Sequence, residues 1–322
     1  MRARRVSLER PTLASYVERL RDYRSSSCIR NVSTAGVPLS DAGAPLLSVV
    51  TVTFNSERTL ERTIRSVLAQ RYPHVEYIIV DGGSSDGTVD IIRRYERYLS
   101  YWHTGRDRGI SDAFNLGIAA THGKYVALVN SDDWMSEDQG ALAVEALERS
   151  GAAFVFGRLA FHEGDGALLY VMDGDPEYWR TITRGMPEIN HPTVVNRRSS
   201  FEKIGLFDVR KRVAMDYDWH LRAEQHGLRG IYVPEIVGHM GVGGACFQNW
   251  AGGLREVRDA ALECGQPRLP VIGHYLWRLF RGRVREAMYA ALPAGLVSYI
   301  HRTMNPRYRP NQKTSAHEPL QP

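Results

Sequence analysis

Tyr125-Val126-Ala127-Leu128-Val129-Asn130-Ser131-Asp132-Asp133-Trp134 is a short apolar run that ends on two adjacent carboxylates. The run from Tyr125 to Val129 reads as a buried strand. In open α/β sheets, ligands lie beyond the carboxyl ends of the strands. Paired acids at such a tip suit a hard divalent cation, which takes oxygen ligands and keeps substrate phosphates in its shell. The same residues also suit an Asp-rich turn before a helix N-cap, so the flanking sequence has to decide.

Upstream, Leu46 to Phe54 is apolar and β-branched and predicts a central strand. Ser56 reads as the N-cap of a helix carrying Leu60, Ile64, Val67 and Leu68 at helical spacing, stopped by Tyr72-Pro73. Val75 to Val80 is a second strand, and the glycine-rich turn Asp81 to Thr88 leads into a helix with Val89, Ile92 and Tyr95 on one face. Leu99 to His103 predicts a short third strand, Gly105 to Gly109 a charged loop, and Ser111 to Ala120 a helix. Strands alternating with helices at this spacing predict an α/β fold with a mostly parallel central sheet flanked by helices.

Downstream the pattern loosens. A helix is expected over Gly140 to Arg149, then a strand pair at Ala152–Phe161 and Ala167–Met172. A strand over Thr193–Asn196, helices over Arg198–Ile204 and Asp216–His226, and a last strand over Gly230–Val233 ending at a Pro234 turn complete the body. This divides the chain into a basic extension and linker (1–44), a body (45–264), a basic amphipathic helical segment (265–305) and a disordered tail (306–322).

The composition of the 322 residues, 43% hydrophobic and 24% charged, is that of a globular protein. The net charge of +5 is unevenly placed. Residues 1–30 carry eight basic and three acidic side chains, and residues 265–322 nine and two, so the ends hold +5 and +7 and the remainder −7. Basic ends on an acidic body suggest contact with an anionic surface more than a basic active site. Solvated tails are the plain alternative, and nucleic acid is not an expected partner. Cys28, Cys246 and Cys264 show neither paired nor metal-binding spacing and fit a reducing compartment. No apolar run approaches the ~20 residues that span a bilayer. The basic start has no apolar stretch after it, so the Asn31-Val32-Ser33 sequon is discounted and a cytoplasmic location is expected, with peripheral contact at the inner face of the membrane. Ile272, Leu276, Leu279, Phe280, Val284 and Ala287 form an apolar stripe opposite Arg278, Arg281 and Arg285, with Trp277 near its edge. This suits a helix lying in a membrane interface, or one packed on its own domain.

Several residues suit a nucleotide site. Asp81 at a strand end suits a base N–H or a ribose hydroxyl, and Gly82-Gly83 lets backbone approach a ligand, although a plain turn explains the glycines equally. Phe54 is placed to stack on a base or to fill the core. Arg108 suits a diphosphate, with Asp112 and Asn115 beside it. Asp216 is a general-base candidate, one turn ahead of His220, and His239 a candidate metal ligand.

Taken together, Val52-Thr53-Phe54-Asn55, the run Val80 to Thr88, Asp107 to Ile118 and Gly123 to Asp133 resemble, in order, the family 2 glycosyltransferases of GT-A fold. His191-Pro192-Thr193, Gly205-Leu206-Phe207-Asp208 and Met215-Asp216-Tyr217-Asp218 resemble the subset that makes bacterial surface polysaccharides. The resemblance covers Leu46 to about Gly244. It implies an inverting transfer from a nucleotide-diphosphate sugar to a saccharide or lipid-linked acceptor, with Mg²⁺ or Mn²⁺. It implies a nucleotide-sugar half (45–133) and an acceptor half (134–264). The resemblance matches Asp81 to the base-recognising acid, Asp132 and Asp133 to the acids on ribose and metal, and Asp216 to the catalytic base; with the residues read above, the candidate donor contacts are Thr53, Phe54, Asp81, Arg108, Asp112, Asn115 and Asp132, and the candidate metal ligands Asp132, Asp133 and His239. Two positions depart from the family pattern: Asn130 stands for the first acid of D-x-D and Met215 for a Glu. They leave room for an inactive nucleotide-sugar binding module. A sugar nucleotidyltransferase would want basic residues and glycines after the first strand, where Asn55-Ser56-Glu57 stands instead.

Overall fold

The computed structural model describes residues 10–25, 44–164, 166–242 and 249–292. The linker after Ser25, the sequon, Cys28, Cys246, Gly244 and the expected tail lie outside these residues.

β1 (Leu47–Thr53), β2 (Val75–Asp81), β3 (Tyr101–Thr104) and β4 (Tyr125–Asn130) are parallel, in the order β3-β2-β1-β4. Their side chains alternate between two cores. Val50, Val52, Ile78, Val80, Val126 and Leu128 face one; Leu47, Val49, Tyr77, Ile79, Ala127 and Val129 face the other. Burial on both faces is why these strands read as continuous apolar runs. Helices α2 (Leu60–Leu68) and α3 (Thr88–Tyr95) cover the second face, α4 (Ile110–Ala120) the first. Gly117 lets α4 sit close on β1: a Cβ there would lie 2.2 Å from Val50 Cγ1. The N-terminal helix α1 (Leu13–Ser25) packs beside α4 and puts Tyr16 and Leu20 into the same core.

Beyond β4, Asp133 does not continue a turn but opens a short strand, β5 (Asp133–Met135). α5 (Gln139–Ser150) follows, then the antiparallel pair β6 (Phe154–His162) and β7 (Leu168–Met172). β8 (Val195–Arg197) joins β4 to β6, antiparallel to both. α6 (Arg198–Ile204), α7 (Met215–Gln225), β9 (Gly230–Gly241), α8 (Trp250–Glu263) and α9 (Arg268–Ala291) complete the described chain. The expected stop at Pro234 is corrected, because β9 runs on to Gly241. Its register with β6 jumps from Phe156↔Tyr232 to Arg158↔Val237, which leaves Pro234 in a bulge. A proline is tolerated there because no ladder needs its missing N–H. Past the bulge, β9 also pairs with β5, so the sheet curls back to the acid pair at the tip of β4.

Candidate active site

The tips of β1, β2 and β4 lie side by side, with Thr53 opposite Asp81 and Val52 opposite Asn130. Two loops above them are laced together. Asn55 adopts a left-handed φ of 49°, its N–H donates to Ser84 Oγ at 2.8 Å, and its Oδ1 accepts from the Ser85 N–H at 2.9 Å. Asparagine tolerates that backbone region better than most residues. Ser56 is not the N-cap of α2, which starts after Thr59 without a side-chain cap. Its hydroxyl instead pairs with Ser131 Oγ at 2.8 Å, tying the β1 loop to the acid-bearing turn.

Phe54 is 62% exposed, so it does not fill the core. Its ring lies against Gly82, where a Cβ would come 3.4 Å from Phe54 Cδ2 and 2.8 Å from Asp107 Oδ2. Phe54 and Asp107 therefore flank a bare backbone step at the strand tips. Asp107 opens the 107–118 run that carries the resemblance, but as one acid in a charged loop it is given no role by the sequence; the structure sets its carboxylate beside Gly82. Burial raises its carboxyl above the usual range. Asp81 is fully buried and builds the turn: Oδ2 accepts from the Gly83 and Ser84 N–H groups at 3.1 and 3.0 Å and from Thr104 Oγ1 at 2.6 Å. Oδ1 accepts from Ser84 Oγ and keeps capacity for a second donor. Thr53 Oγ1 is buried without a hydrogen-bond partner.

At β4, Asp133 is 1% exposed. Its Oδ2 accepts from Asn130 Nδ2 at 3.0 Å, while its Oδ1 and Asn130 Oδ1 are buried without partners. Burial, then the charge of Asp132, push the Asp133 carboxyl well above its ordinary value; burial raises Asp132 as well. Arg62 opposes both shifts, donates to the Asp132 carbonyl at 3.3 Å and lies 3.6 Å over the Trp134 ring. An orphaned buried carboxylate oxygen is costly, and a cation would satisfy it, so Asp132 and Asp133 fit a divalent metal. His239 does not complete the set as it lies. Its Nε2 meets Ser136 Oγ at 2.9 Å, its Nδ1 meets His162 Nε2 at 3.0 Å, and its ring stacks on Trp134. Burial and then His162 hold it down at about 4, hence neutral. Among the described residues, no three His, Cys, Asp or Glu side chains converge on a metal position.

Asp112 and Asn115 are engaged in internal hydrogen bonds. Both are fully buried. Asn115 spends its amide on the Phe207 backbone, donating to the carbonyl and accepting from the N–H at 2.9 Å each. Asp112 accepts from Arg19 Nη1 at 2.6 Å, the Arg108 N–H at 3.0 Å, Arg108 Nη2 at 3.1 Å and the Tyr16 hydroxyl. Burial alone would raise its carboxyl, but these donors hold it far below the usual range. Arg108 remains largely exposed at the rim.

Asp216 lies in the first turn of α7, 7% exposed, lining a small cavity with His191, His220, Asn196, Phe207 and Trp219. Burial raises its carboxyl, and His191 opposes the shift. His191 Nε2 and His220 Nε2 are buried without partners. The His220 ring is neutral, pushed by burial to about 3, and interacts with the Asp216 backbone, not its carboxylate. Glu256 of α8 anchors the approach to α7, accepting from the Arg212, Val213 and Ala214 N–H groups at 3.0, 2.8 and 2.9 Å. Nothing in the sequence marks it, since its partners are backbone groups some forty residues away.

Residues 48–205 match the family described as Glycosyl transferase family 2. An uncharacterized glycosyltransferase of Mycobacterium tuberculosis is 35% identical over 182 residues, covering 56% of this chain and 69% of that protein. The chain belongs to glycosyl transferase family 2. This glycosyltransferase is also 36% identical over 135 residues to TuaG of Bacillus subtilis, provisionally named for teichuronic acid biosynthesis, covering 41% of this chain and 50% of that one. A mannosyltransferase from Pyrobaculum calidifontis, solved with GDP-Man and Mn²⁺, superposes with a TM-score of 0.56 at 19% identity over 91% of this chain and 87% of that one. At that identity the likeness speaks for the fold, which is GT-A.

Proposed function

We propose that this glycosyltransferase transfers a sugar, with inversion, from a nucleotide-diphosphate sugar to a hydroxyl of a saccharide or lipid-linked acceptor. The observation that carries this reading is the division of carboxylates: an acid pair at the tip of β4, and a separate buried acid with a raised carboxyl at the start of α7. Phe54 stacks on the base, and Asp81 accepts from the base or ribose through the spare capacity of Oδ1. Asp107 stands beside them. Arg108, exposed at the rim, meets the diphosphate. Asp132 and Asp133 would hold Mg²⁺ or Mn²⁺, which when bound would supply positive charge to the leaving diphosphate. Asp216 takes the proton from the acceptor hydroxyl as that oxygen attacks the anomeric carbon. The bond from that carbon to the diphosphate oxygen breaks on the opposite face. One displacement inverts the centre, so no enzyme nucleophile is required. Residues 45–133 serve the donor and 134–264 the acceptor. The printed name of TuaG supports a surface polysaccharide as the product class. The GDP-Man and Mn²⁺ bound by the mannosyltransferase support a nucleotide sugar with a divalent metal.

The test is release of nucleoside diphosphate from a panel of UDP-, GDP- and dTDP-sugars, with Mn²⁺ or with EDTA, for the wild type and Asp132→Ala. Release that depends on metal and is lost in the variant is expected. Donor binding without turnover, even with membrane extract as acceptor source, would make the protein a binding module and overturn the reading.

A further inference from the structure

We infer that α9 docks this enzyme on an anionic lipid bilayer, lying in the interface with its outward stripe immersed. Leu269, Ile272, Leu276, Phe280 and Val284 are exposed along one face, with Trp277 at its edge. Their spacing of three and four residues makes one continuous stripe. Leu279, counted with that stripe in the sequence, is half-buried.

The stripe is fixed outward by the packing of the other face. Val271 is buried, and Gly282 lies so close to Trp250 of α8 that a Cβ would fall 2.3 Å from the indole. Arg258 of α8 sits 4.8 Å over the Tyr275 ring, and Gly185 abuts His274. With α8 and the 181–186 loop on the inner face, the stripe faces away from the rest of the described residues. Among the described residues no helix is long and apolar enough to cross a membrane, and an exposed stripe on a basic helix suits interfacial contact.

Charge selects the occupant. α9 carries five arginines (Arg268, Arg278, Arg281, Arg283, Arg285) against one glutamate, and Glu286 is already taken by Arg283 at 3.0 Å and by the Trp250 indole N–H at 2.7 Å. Arg278 and Arg285 fall on the side of α9 away from the stripe and Arg281 nearest its edge, 4.6 Å over the Trp277 ring. An interfacial tryptophan beside arginines suits the headgroup level of a bilayer. The docked helix is also close to the chemistry: α8, on which it packs, holds the start of α7 through Glu256. Docking would hold the α7 end, and with it Asp216, near the bilayer that carries a lipid-linked acceptor, a point that rests on the glycosyl-transfer reading; the docking itself does not.

The experiment is flotation of the full chain with phosphatidylcholine vesicles, with and without phosphatidylglycerol, at low and high salt, with light scattering for oligomeric state. The wild type is expected to float at least tenfold better with anionic vesicles, and less well as salt rises. Leu276→Glu with Phe280→Glu should abolish flotation while nucleoside diphosphate release from the donor is retained. Arg278→Gln, Arg281→Gln and Arg285→Gln change only exposed side chains and keep the test open if the glutamate variant fails to fold. They should weaken partition about fivefold per charge removed. Equal binding to neutral vesicles, or flotation unaffected by either set, would overturn the proposal. So would a wild-type dimer that the glutamate pair dissociates, which would assign the face to a second copy. Flotation without turnover would leave docking standing and remove only the transfer reading.

Discussion

Substituting Asp216 with asparagine removes one proton acceptor from the start of α7 and nearly preserves its shape. Asp216 is 7% exposed, and burial is the main cause of its raised carboxyl. If it is the base, losing it should lower kcat by about 10²–10⁴. At ~1.4 kcal/mol per decade, that is about 3–5 kcal/mol of transition-state stabilisation. Donor affinity should be unchanged, because the proposed donor contacts lie at the tips of β1, β2 and β4. Stability should move the other way. A carboxyl whose folded pKa is raised contributes most below its unfolded value and loses that contribution as pH rises through the folded value. Near neutral pH the buried carboxylate is therefore a burden that asparagine relieves, and the variant should melt at or above the wild-type temperature. The same shift sets the acid limb of the wild-type rate profile: activity falls as pH drops through the raised value, earlier than for an ordinary aspartate. The assays are transfer kinetics across pH, calorimetric donor binding and a thermal melt. A loss smaller than tenfold with unchanged donor affinity would refute the assignment of the base. A lower melting temperature would instead mean that the charged form is stabilised in the fold, against the burial argument.

Asp112→Asn should cost about 3 kcal/mol, the lower end for breaking a buried ion pair, because the arginine ends reach solvent. At about 2 °C per kcal/mol for a chain of this size, calorimetry should show a fall near 6 °C. Because this carboxyl is depressed, its contribution is present above the unfolded value and lost as pH falls, so the gap between wild type and variant should close in acid. Gly117→Ala should destabilise by about 2 kcal/mol by forcing α4 off the stiff, buried Val50, despite alanine's better helix propensity; a denaturant midpoint equal to or above the wild type's would contradict that close approach.

The parallel front of the sheet was legible because β1, β2 and β4 are buried on both faces, so each strand announces itself by composition. β9 was legible only to Pro234, because a bulge that absorbs a proline depends on the partner strand, not on the local sequence. The roles of polar residues were the least legible part. Asp112 and Asn115 stand in a motif that suggests a ligand, yet their partners Tyr16, Arg19 and Phe207 lie more than ninety residues away. The acid pair was visible as a pair, but Arg62, Trp134 and the His162–His239 contact that surround it come together only when the sheet curls back.

The N-terminal helix has a practical bearing on any shortened form of this enzyme. Arg10 donates to Asp218 at 2.8 Å and to Asp208 at 3.0 Å, while Tyr16 and Arg19 serve Asp112. Trimming to the family match, which begins at residue 48, would remove all three donors at one stroke. Asp218 would keep Arg222, and Asp112 would keep Arg108, but the groove beside α4 that seats Tyr16 and Leu20 would be stripped to solvent. The stretch that identifies the family is thus shorter than the stretch that must be expressed to obtain a well-behaved protein.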